Sequence, residues 1–220
     1  MPWIQRLLSR TVHHMSSVIC ISHETGAGGP ELGRLVADKL GYRLIDEEIV
    51  TRAAEKQNVS AEELADAERR KSLLSRILRE ATVGMGSASG AGMIDAADLR
   101  SDPNSLRSLI RQSVSETADE GDVVIVSHAA SYALADRPNV LRVLVTASPA
   151  TRAARVAAET DVDEKHGAKA VGASDAARAD YLKRFYSVAE ELPVHYDVVV
   201  NTDRIPVDQW SQVVVNAATL

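Results

Sequence analysis

The sequence predicts an α/β fold: a doubly wound, mostly parallel five-stranded sheet with helices on both faces. Five short apolar segments rich in β-branched residues alternate with segments of helical periodicity, which is typical of repeated βαβ units. Polar residues follow these apolar segments, and in parallel sheets such positions meet beyond the carboxyl ends of the strands, where ligands bind. With 220 residues, of which 45% are hydrophobic and 25% charged, the chain is long enough for one domain with a substantial core.

The first apolar run, residues 18–21, leads into a glycine-rich stretch that contains Gly26, Gly28 and Gly29. Helical spacing follows up to Gly41, a typical C-terminal stop, and Pro30 suits the first turn, where a missing N–H costs nothing. In a strand, glycine-rich turn and helix of this kind, backbone N–H groups and a helix N-terminus can converge on a phosphate. Glycines also serve simply to turn a corner, so the stretch alone leaves phosphate binding and a structural turn both open.

The phosphate-loop motif G-x-x-x-x-G-K-[ST] provides a direct comparison. When Gly28 is set on the second glycine of the motif, His23 occupies the first glycine position, Gly29 the lysine position and Pro30 the hydroxyl position. The glycine-rich character of the loop is therefore present, and its lysine is not.

The remaining elements are predicted in chain order. The strands are expected at 42–45, ending at Asp46, then at 123–126, 140–145 and 197–200. Helices are expected after Asp46, from a capping box at 60–63 to about 80, from 103, from 149 with Ser148 as N-cap, from Ser174 as N-cap, and from 206. Residues 84–92 are glycine-rich and predict a flexible segment, and the polar stretch 161–172 predicts a loop.

Composition and charge exclude several classes of protein. The formal net charge of −6 argues against general nucleic-acid binding, which requires a basic face. No apolar run reaches 18 residues and no signal-peptide core is found, so we expect a cytoplasmic protein without a membrane span. Cys20 is the single cysteine and lies within the first apolar run, which predicts a buried structural thiol.

Residues 1–16 are expected to be an N-terminal extension, and 17–220 a single domain with a helical insertion at about 47–115.

Five stretches, in this order and spacing, resemble the cytidylate kinase-like family of phosphate-loop proteins, which are relatives of the nucleoside monophosphate kinases. These stretches are residues 21–33, residues 44–49, residues 123–130, the motif Asp175-x-x-Arg178-x-x-Tyr181 and residues 196–202. Together they span the chain from about residue 17 to 215, which is nearly its whole length.

The resemblance implies ATP bound at the glycine loop, with Mg²⁺ bridging the β- and γ-phosphate oxygens, and a lid at about 161–184. The implied cofactor-binding residues are Gly26, Ala27, Gly28, Gly29, Pro30 and Glu31. The implied catalytic residues are Arg178 and Arg155, which would neutralise charge on the transferred phosphoryl group. The implied acceptor-binding residues are Asp46, His128 and Arg184. A solvent-facing helix charge is the alternative interpretation for Arg152, Arg155 and Arg184.

The chain departs from the family pattern where fixed positive charge is expected. Gly29 stands at the lysine position, which the family itself often leaves without a lysine, and Pro30 stands where the family then has an arginine. Ser127-His128 stands where Gly-Arg is expected. Two hypotheses therefore remain: an ATP-dependent kinase acting on a nucleoside monophosphate, and a nucleotide-binding regulatory or interaction protein without turnover. A kinase for another small acceptor is a third option. The expected partner is a small-molecule nucleotide, and a homodimer through the long charged helix is compatible with the sequence.

Overall fold

The computed structural model describes residues 16–46, 103–127 and 129–220. The elements in chain order are β1 (Val18–His23), α1 (Gly29–Leu40), β2 (Arg43–Ile45), α2 (Pro103–Asp119), β3 (Val123–Val126), α3 (Ala130–Ala133), β4 (Val140–Thr146), α4 (Pro149–Thr160), α5 (Glu164–Tyr186), a 3₁₀ turn (Pro193–His195), β5 (Val198–Asn201) and α6 (Val207–Ala218). Residues 1–15 of the predicted extension at 1–16, the charged helix at 60–80 and the glycine-rich segment at 84–92 lie outside the described residues.

The five strands form one parallel sheet in the order β2-β3-β1-β4-β5, which confirms the predicted fold class. β1 is central, and Ile19 is paired with Val124 of β3 on one side and with Leu141 of β4 on the other. The strand order changes direction at β1, and ligands of open α/β sheets bind at such a switch point, beyond the carboxyl ends of the strands. The loop after β1 lies at this position.

The sheet is covered on both faces because alternate residues of its buried strands point to opposite sides. Val18 and Cys20 of β1 belong to a core cluster shared with Val114 of α2 and with Leu134, the C-cap residue of α3. The intervening positions of β1 belong to the opposite cluster, which includes residues of α1 and α6. The predicted helices on both faces are therefore confirmed. None of the described helices is long and apolar enough to cross a membrane.

The predicted loop at 161–172 is wrong, and so is the prediction that Ser174 is an N-cap. Helix α5 already begins at Glu164, with the Asp163 side chain accepting from the N–H of His166, so Ser174 lies inside the helix. Gly167 weakened the helical signal in the sequence, but it allows α5 to pack closely on α4. A Cβ atom at Gly167 would lie 2.4 Å from the carbonyl oxygen of Ala153. The packing of the α4–α5 pair outweighs the low helix propensity of glycine.

Two predicted helix ends are confirmed by their caps. Gly41 ends α1 in the left-handed conformation, with φ of 69°, and its N–H donates to Ala37 O. Ser148 begins α4, and its side chain accepts from the N–H of Thr151. The Ser148 cap lies at the carboxyl edge of the sheet, where α4 begins after β4, and the Gly41 cap lies at the opposite edge, before β2.

Candidate functional site

The glycine-rich stretch forms a tight loop between β1, which ends at His23, and α1, which begins at Gly29. Gly26 and Gly28 have φ values of 80° and 88°, in the left-handed region that favours glycine. A Cβ atom at Gly26 would also lie 2.6 Å from the carbonyl oxygen of Arg152. The loop conformation therefore requires glycine at both positions.

Side chains behind the loop hold three successive loop carbonyl groups. Arg152 Nη1 donates to Thr25 O at 3.5 Å, Arg155 Nη1 donates to Gly26 O at 3.3 Å, and Thr202 Oγ1 donates to Ala27 O at 2.9 Å. Peptide bonds in the described chain are trans, and a trans peptide directs its N–H opposite to its C=O. The amide groups of Gly26 and Gly28 therefore point away from the anchoring side chains. Among the described residues, neither of these amides donates to a protein acceptor. Together with the start of α1 they form a concave set of donors suited to an anion.

Arg155 and Thr202 act as one unit that joins α4 and the end of β5 to the loop. Arg155 Nη2 donates to Thr202 O at 2.7 Å, and its Nη1 donates to Thr202 Oγ1 at 2.8 Å. The Thr202 hydroxyl has one proton, and Ala27 O at 2.9 Å is a closer acceptor than Thr146 O at 3.4 Å. Contact between Arg155 and a transferring phosphoryl group, which the resemblance implies, would have to use Nε or the second Nη2 proton as long as these bonds are kept.

Arg152 is a second anchor and is almost fully buried, with 3% of the residue exposed. Both of its Nη atoms donate to the Asp175 carboxylate at 2.8 Å, and Nε donates to Ala147 O at 3.1 Å. Glu24 of the loop approaches Nε to 3.4 Å. Burial opposes the charge of Arg152, but the hydrogen bonds to Asp175 and the charges of Glu24 and Asp175 outweigh it and raise the pKa. Arg152 therefore stays cationic and ties α4, α5 and the loop together.

Two further contacts hold the start of the loop. Thr146, at the end of β4, donates from its hydroxyl to Glu24 Oε2 at 2.5 Å. The hydroxyls of Thr25 and Ser174 are 2.7 Å apart, so α5 contacts the loop directly. The predicted N-cap residue Ser174 thus contributes to the loop.

Arg178, the second predicted catalytic arginine, lies one helical turn after Ser174 and so on the same face of α5. Its residue is 5% exposed. Nε donates to Glu191 Oε2 at 2.6 Å, Nη2 also bonds Glu191, and Nη2 lies 3.5 Å from the Tyr196 hydroxyl. Burial opposes the charge of Arg178, but the Glu191 carboxylate raises the pKa, so the group stays charged. Nη1 is buried without a hydrogen-bond partner in the described part of the chain. Nε and Nη2 of Arg178 could bind a phosphoryl group only by exchanging Glu191 for it, whereas Nη1 would first have to become accessible.

The remaining predicted residues are not all brought together at the loop. Pro30 and Glu31 lie in the first turn of α1 and are exposed, and Asp46 is exposed directly after β2. Arg184 is paired with Asp180 on the surface of α5. His128 lies outside the described residues. The resemblance implies no role for Thr202 or for the Asp175 carboxylate. In the structure Thr202 holds the loop directly, and Asp175 holds it through Arg152. The motif around Asp175 and the polar end of the last strand were the sequence signals for them.

No group of three or more His, Cys, Asp and Glu side chains in residues 16–46, 103–127 and 129–220 is placed to hold a metal ion. The His, Cys, Asp and Glu side chains of the described residues therefore do not form a metal site by themselves. They are compatible with Mg²⁺ that arrives on a nucleotide, because Mg²⁺ keeps several waters and binds substrate phosphates with one or two carboxylates.

The parallel sheet, with the glycine-rich loop at its switch point, defines the class: an α/β protein with a nucleotide kinase fold. The chain belongs to the cytidylate kinase-like family, whose sequence profile matches residues 18–204. No curated protein sequence matches the chain.

Two of the solved structures that the chain resembles illustrate the shared fold. An uncharacterised protein from Eubacterium ventriosum is 16% identical with a TM-score of 0.64, over 91% of this chain and 97% of that one. Shikimate kinase from Bacteroides thetaiotaomicron is 15% identical with a TM-score of 0.50, over 92% of this chain and 98% of that one. At these identities the likeness establishes the fold.

Proposed function

We propose that the protein transfers the γ-phosphoryl group of ATP to a small acceptor, and that the acceptor is a nucleoside monophosphate. The observation that carries this proposal is the loop between β1 and α1, whose carbonyl groups are held from behind by Arg152, Arg155 and Thr202. Membership of the cytidylate kinase-like family supports phosphoryl transfer.

The chain's residues have distinct tasks in this proposal. The amides of Gly26 and Gly28 and the start of α1 bind the β-phosphate of ATP, where a helix N-terminus favours negative charge. Mg²⁺ neutralises the phosphate oxygens when it is bound with ATP. Arg155 positions the loop through Gly26 O. Arg178 is the candidate to cover the transferred group once Glu191 has released it.

The transfer is an in-line displacement without a covalent enzyme intermediate. An oxygen of the acceptor phosphate forms a bond to the γ-phosphorus as the bond between that phosphorus and the bridging oxygen breaks, and ADP leaves with the electron pair. The protein contributes positioning and charge stabilisation, since the reaction needs little else from its side chains.

A nucleotide-binding protein without turnover is the second candidate, and three observations favour it. Position 29 is a glycine and not the lysine of the motif, and Pro30 has no N–H to offer in the first turn of α1. Arg178 is paired with Glu191. Each of these reduces the positive charge or the donors available to a transferring phosphoryl group.

Phosphorus NMR with Mg-ATP distinguishes the candidates. CMP, dCMP, UMP and AMP are added in turn, followed by shikimate as an acceptor of another class, because a shikimate kinase shares the fold. A new diphosphate signal with one nucleotide supports the proposal. Turnover with shikimate alone would replace the acceptor class. ATP resonances that broaden without turnover support the binding protein, and unchanged resonances refute nucleotide binding.

Gly28→Ala and Gly41→Ala form a matched pair for this assay. Both glycines have left-handed φ values, 88° and 69°, so both substitutions carry a backbone cost of about 1–2 kcal/mol. A Cβ at position 28 also lies 2.9 Å from Val207 Cγ2, whereas nothing lies within 4 Å at position 41. We expect ATP broadening and turnover to be lost with Gly28→Ala and kept with Gly41→Ala. Equal effects would indicate that the loop is not the binding site.

A further inference from the structure

Two departures from the phosphate-loop motif are in direct contact in the structure. His23 stands at the first glycine position of the motif, and Gly29 stands at its lysine position. A Cβ atom at Gly29 would lie 2.3 Å from both Cβ and Cγ of His23 and 2.7 Å from its Cδ2. The imidazole therefore fills the space that the first carbon atoms of a lysine at position 29 would need.

The backbone itself does not require glycine at position 29. Gly26 and Gly28 have positive φ values, and Gly29 does not, because it is already the first residue of α1. The three atoms nearest to a Cβ at position 29 all belong to His23. The imidazole beside position 29 is therefore the group that excludes a lysine side chain there.

The hydrogen bond of His23 assigns a proton to one ring nitrogen. Nδ1 lies 3.3 Å from Glu24 O, and a carbonyl oxygen only accepts, so Nδ1 carries the proton. In the neutral ring Nε2 then has a lone pair, which repels phosphate oxygens. In the imidazolium form Nε2 is a donor as well. Among the described residues, the charged side chains near His23 include Glu24, which is next in sequence and pairs with Arg152, and Glu31 in the first turn of α1.

We propose that the His23 imidazolium supplies the phosphate-binding cation that a lysine supplies in the motif, and that the absence of a side chain at Gly29 leaves room for this imidazole. Nε2–H donates to a phosphate oxygen of the bound nucleotide, and binding takes up a proton from solvent when the free ring is neutral. This inference rests on the proposed function, because it concerns how the same loop holds the phosphates of ATP.

The first test compares the wild-type protein with His23→Gln, which removes the charge and keeps an amide donor. His166→Gln is the control, since it removes an imidazole whose ring is paired with Asp163. Mg-ATP affinity is measured by calorimetry from pH 6 to 8.5, in two buffers of different ionisation enthalpy. The terminal phosphate of a nucleotide has its own titration near pH 6, so each variant is compared with the wild type at the same pH.

At pH 6.5 we expect His23→Gln to bind Mg-ATP at least about tenfold more weakly, as for loss of a hydrogen bond to a charged group. This ratio should fall towards one by pH 8.5. Near pH 7 the wild type should take up about half a proton more on binding than His23→Gln does, and this difference should become small by pH 8.5. The His166→Gln control should follow the wild type throughout. A His23→Gln variant that binds like the wild type at every pH, with equal proton uptake, would overturn the inference.

The second test rebuilds the motif. Gly29→Lys alone should lose Mg-ATP binding because its Cβ meets the imidazole, and the double variant His23→Gly, Gly29→Lys should recover it. Lysine stays charged across this range, so the recovered affinity should no longer depend on an enzyme group between pH 6.5 and 8.5. A Gly29→Lys variant with wild-type binding would overturn the inference. Should the double variant not fold, as judged by circular dichroism, the His23→Gln comparison decides.

The two proposals fail differently in these experiments. A folded wild-type protein that does not bind Mg-ATP at any pH refutes the proposed function and this inference with it. A wild-type protein that binds Mg-ATP with no contribution from His23 refutes only the inference.

Discussion

The hydroxyl of Thr202 joins the loop to the end of β5, and Thr202→Val tests this link. Valine has nearly the same shape but can neither donate to Ala27 O nor accept from Arg155 Nη1, at the observed 2.9 and 2.8 Å. The residue is only 2% exposed, so water does not replace the lost partners. A buried polar group left unsatisfied costs about 1–3 kcal/mol, with bonds to charged groups at the upper end. We therefore expect the free energy of unfolding to fall by about 2–3 kcal/mol.

Urea denaturation and Mg-ATP calorimetry are the two assays for this substitution. For a domain of this size the loss of stability corresponds to a Tm lower by about 4–12 °C. Mg-ATP affinity should fall by about tenfold or more, which is 1.4 kcal/mol, because the released Ala27 carbonyl no longer holds the Gly28 amide in place. The control is Thr202→Ser, which keeps the hydroxyl and loses one methyl group, at about 1 kcal/mol of stability.

The two variants separate anchoring from packing. Thr202→Ser should bind Mg-ATP like the wild type although it is slightly less stable. Should Thr202→Val bind as tightly as Thr202→Ser, the argument that carbonyl anchoring orders the loop is refuted.

Three further predictions concern stability and reactivity. Gly33→Ala should destabilise the protein by about 1–3 kcal/mol in urea, because its Cβ would lie 2.3 Å from Val126 Cγ2, and unchanged stability would contradict this close packing. Burial raises the pKa of the Cys20 thiol to about 12, and the charge of Arg142 offsets only part of this, so the native protein should not react with a disulfide reagent at pH 8 but the unfolded protein should; rapid native reaction would show that the thiol is accessible. For Asp197, burial acts to raise the pKa, but the hydrogen bonds and charge of Arg142 outweigh it and lower the pKa. The unfolded carboxyl therefore takes up its proton at a higher pH than the native one, and this contribution to stability is lost as the pH falls below about 4. Asp197→Asn should be less stable than the wild type at pH 7, with a gap that narrows towards pH 3, and a constant gap would exclude this linkage.

The fold could be predicted from the sequence because its strands are strongly marked. Residues 123–126 are uniformly apolar, as expected for a central parallel strand, and the structure buries all four. The loop glycines were equally informative, since Gly26 and Gly28 both have the left-handed φ that only glycine adopts readily. Local signals of this kind depend on the residue itself and its immediate neighbours.

The hydrogen bonds and ion pairs that hold the loop could not be predicted, because they join residues that are distant in sequence. Arg152 and Arg155 are helix arginines with ordinary spacing, and nothing in their surroundings indicates that they donate to loop carbonyl groups. The start of α5 was missed for a related reason, since Gly167 is a poor helix former that tertiary packing tolerates. The pairing of His23 with Gly29 had a signal, two departures within one motif, but the contact itself needs the structure.

The order in which the loop's parts are synthesised has a consequence for biogenesis. Ala27 and its anchor Thr202 are 175 residues apart in sequence. At a synthesis rate of about 5–20 residues per second, Thr202 is therefore made about 10–35 seconds after the loop that it anchors. β1 also lacks both neighbours until β3 and β4 have been made. The nascent chain thus carries an apolar strand with two open edges, which favours aggregation and contact with chaperones. A ligand that requires the assembled loop can stabilise only the completed domain.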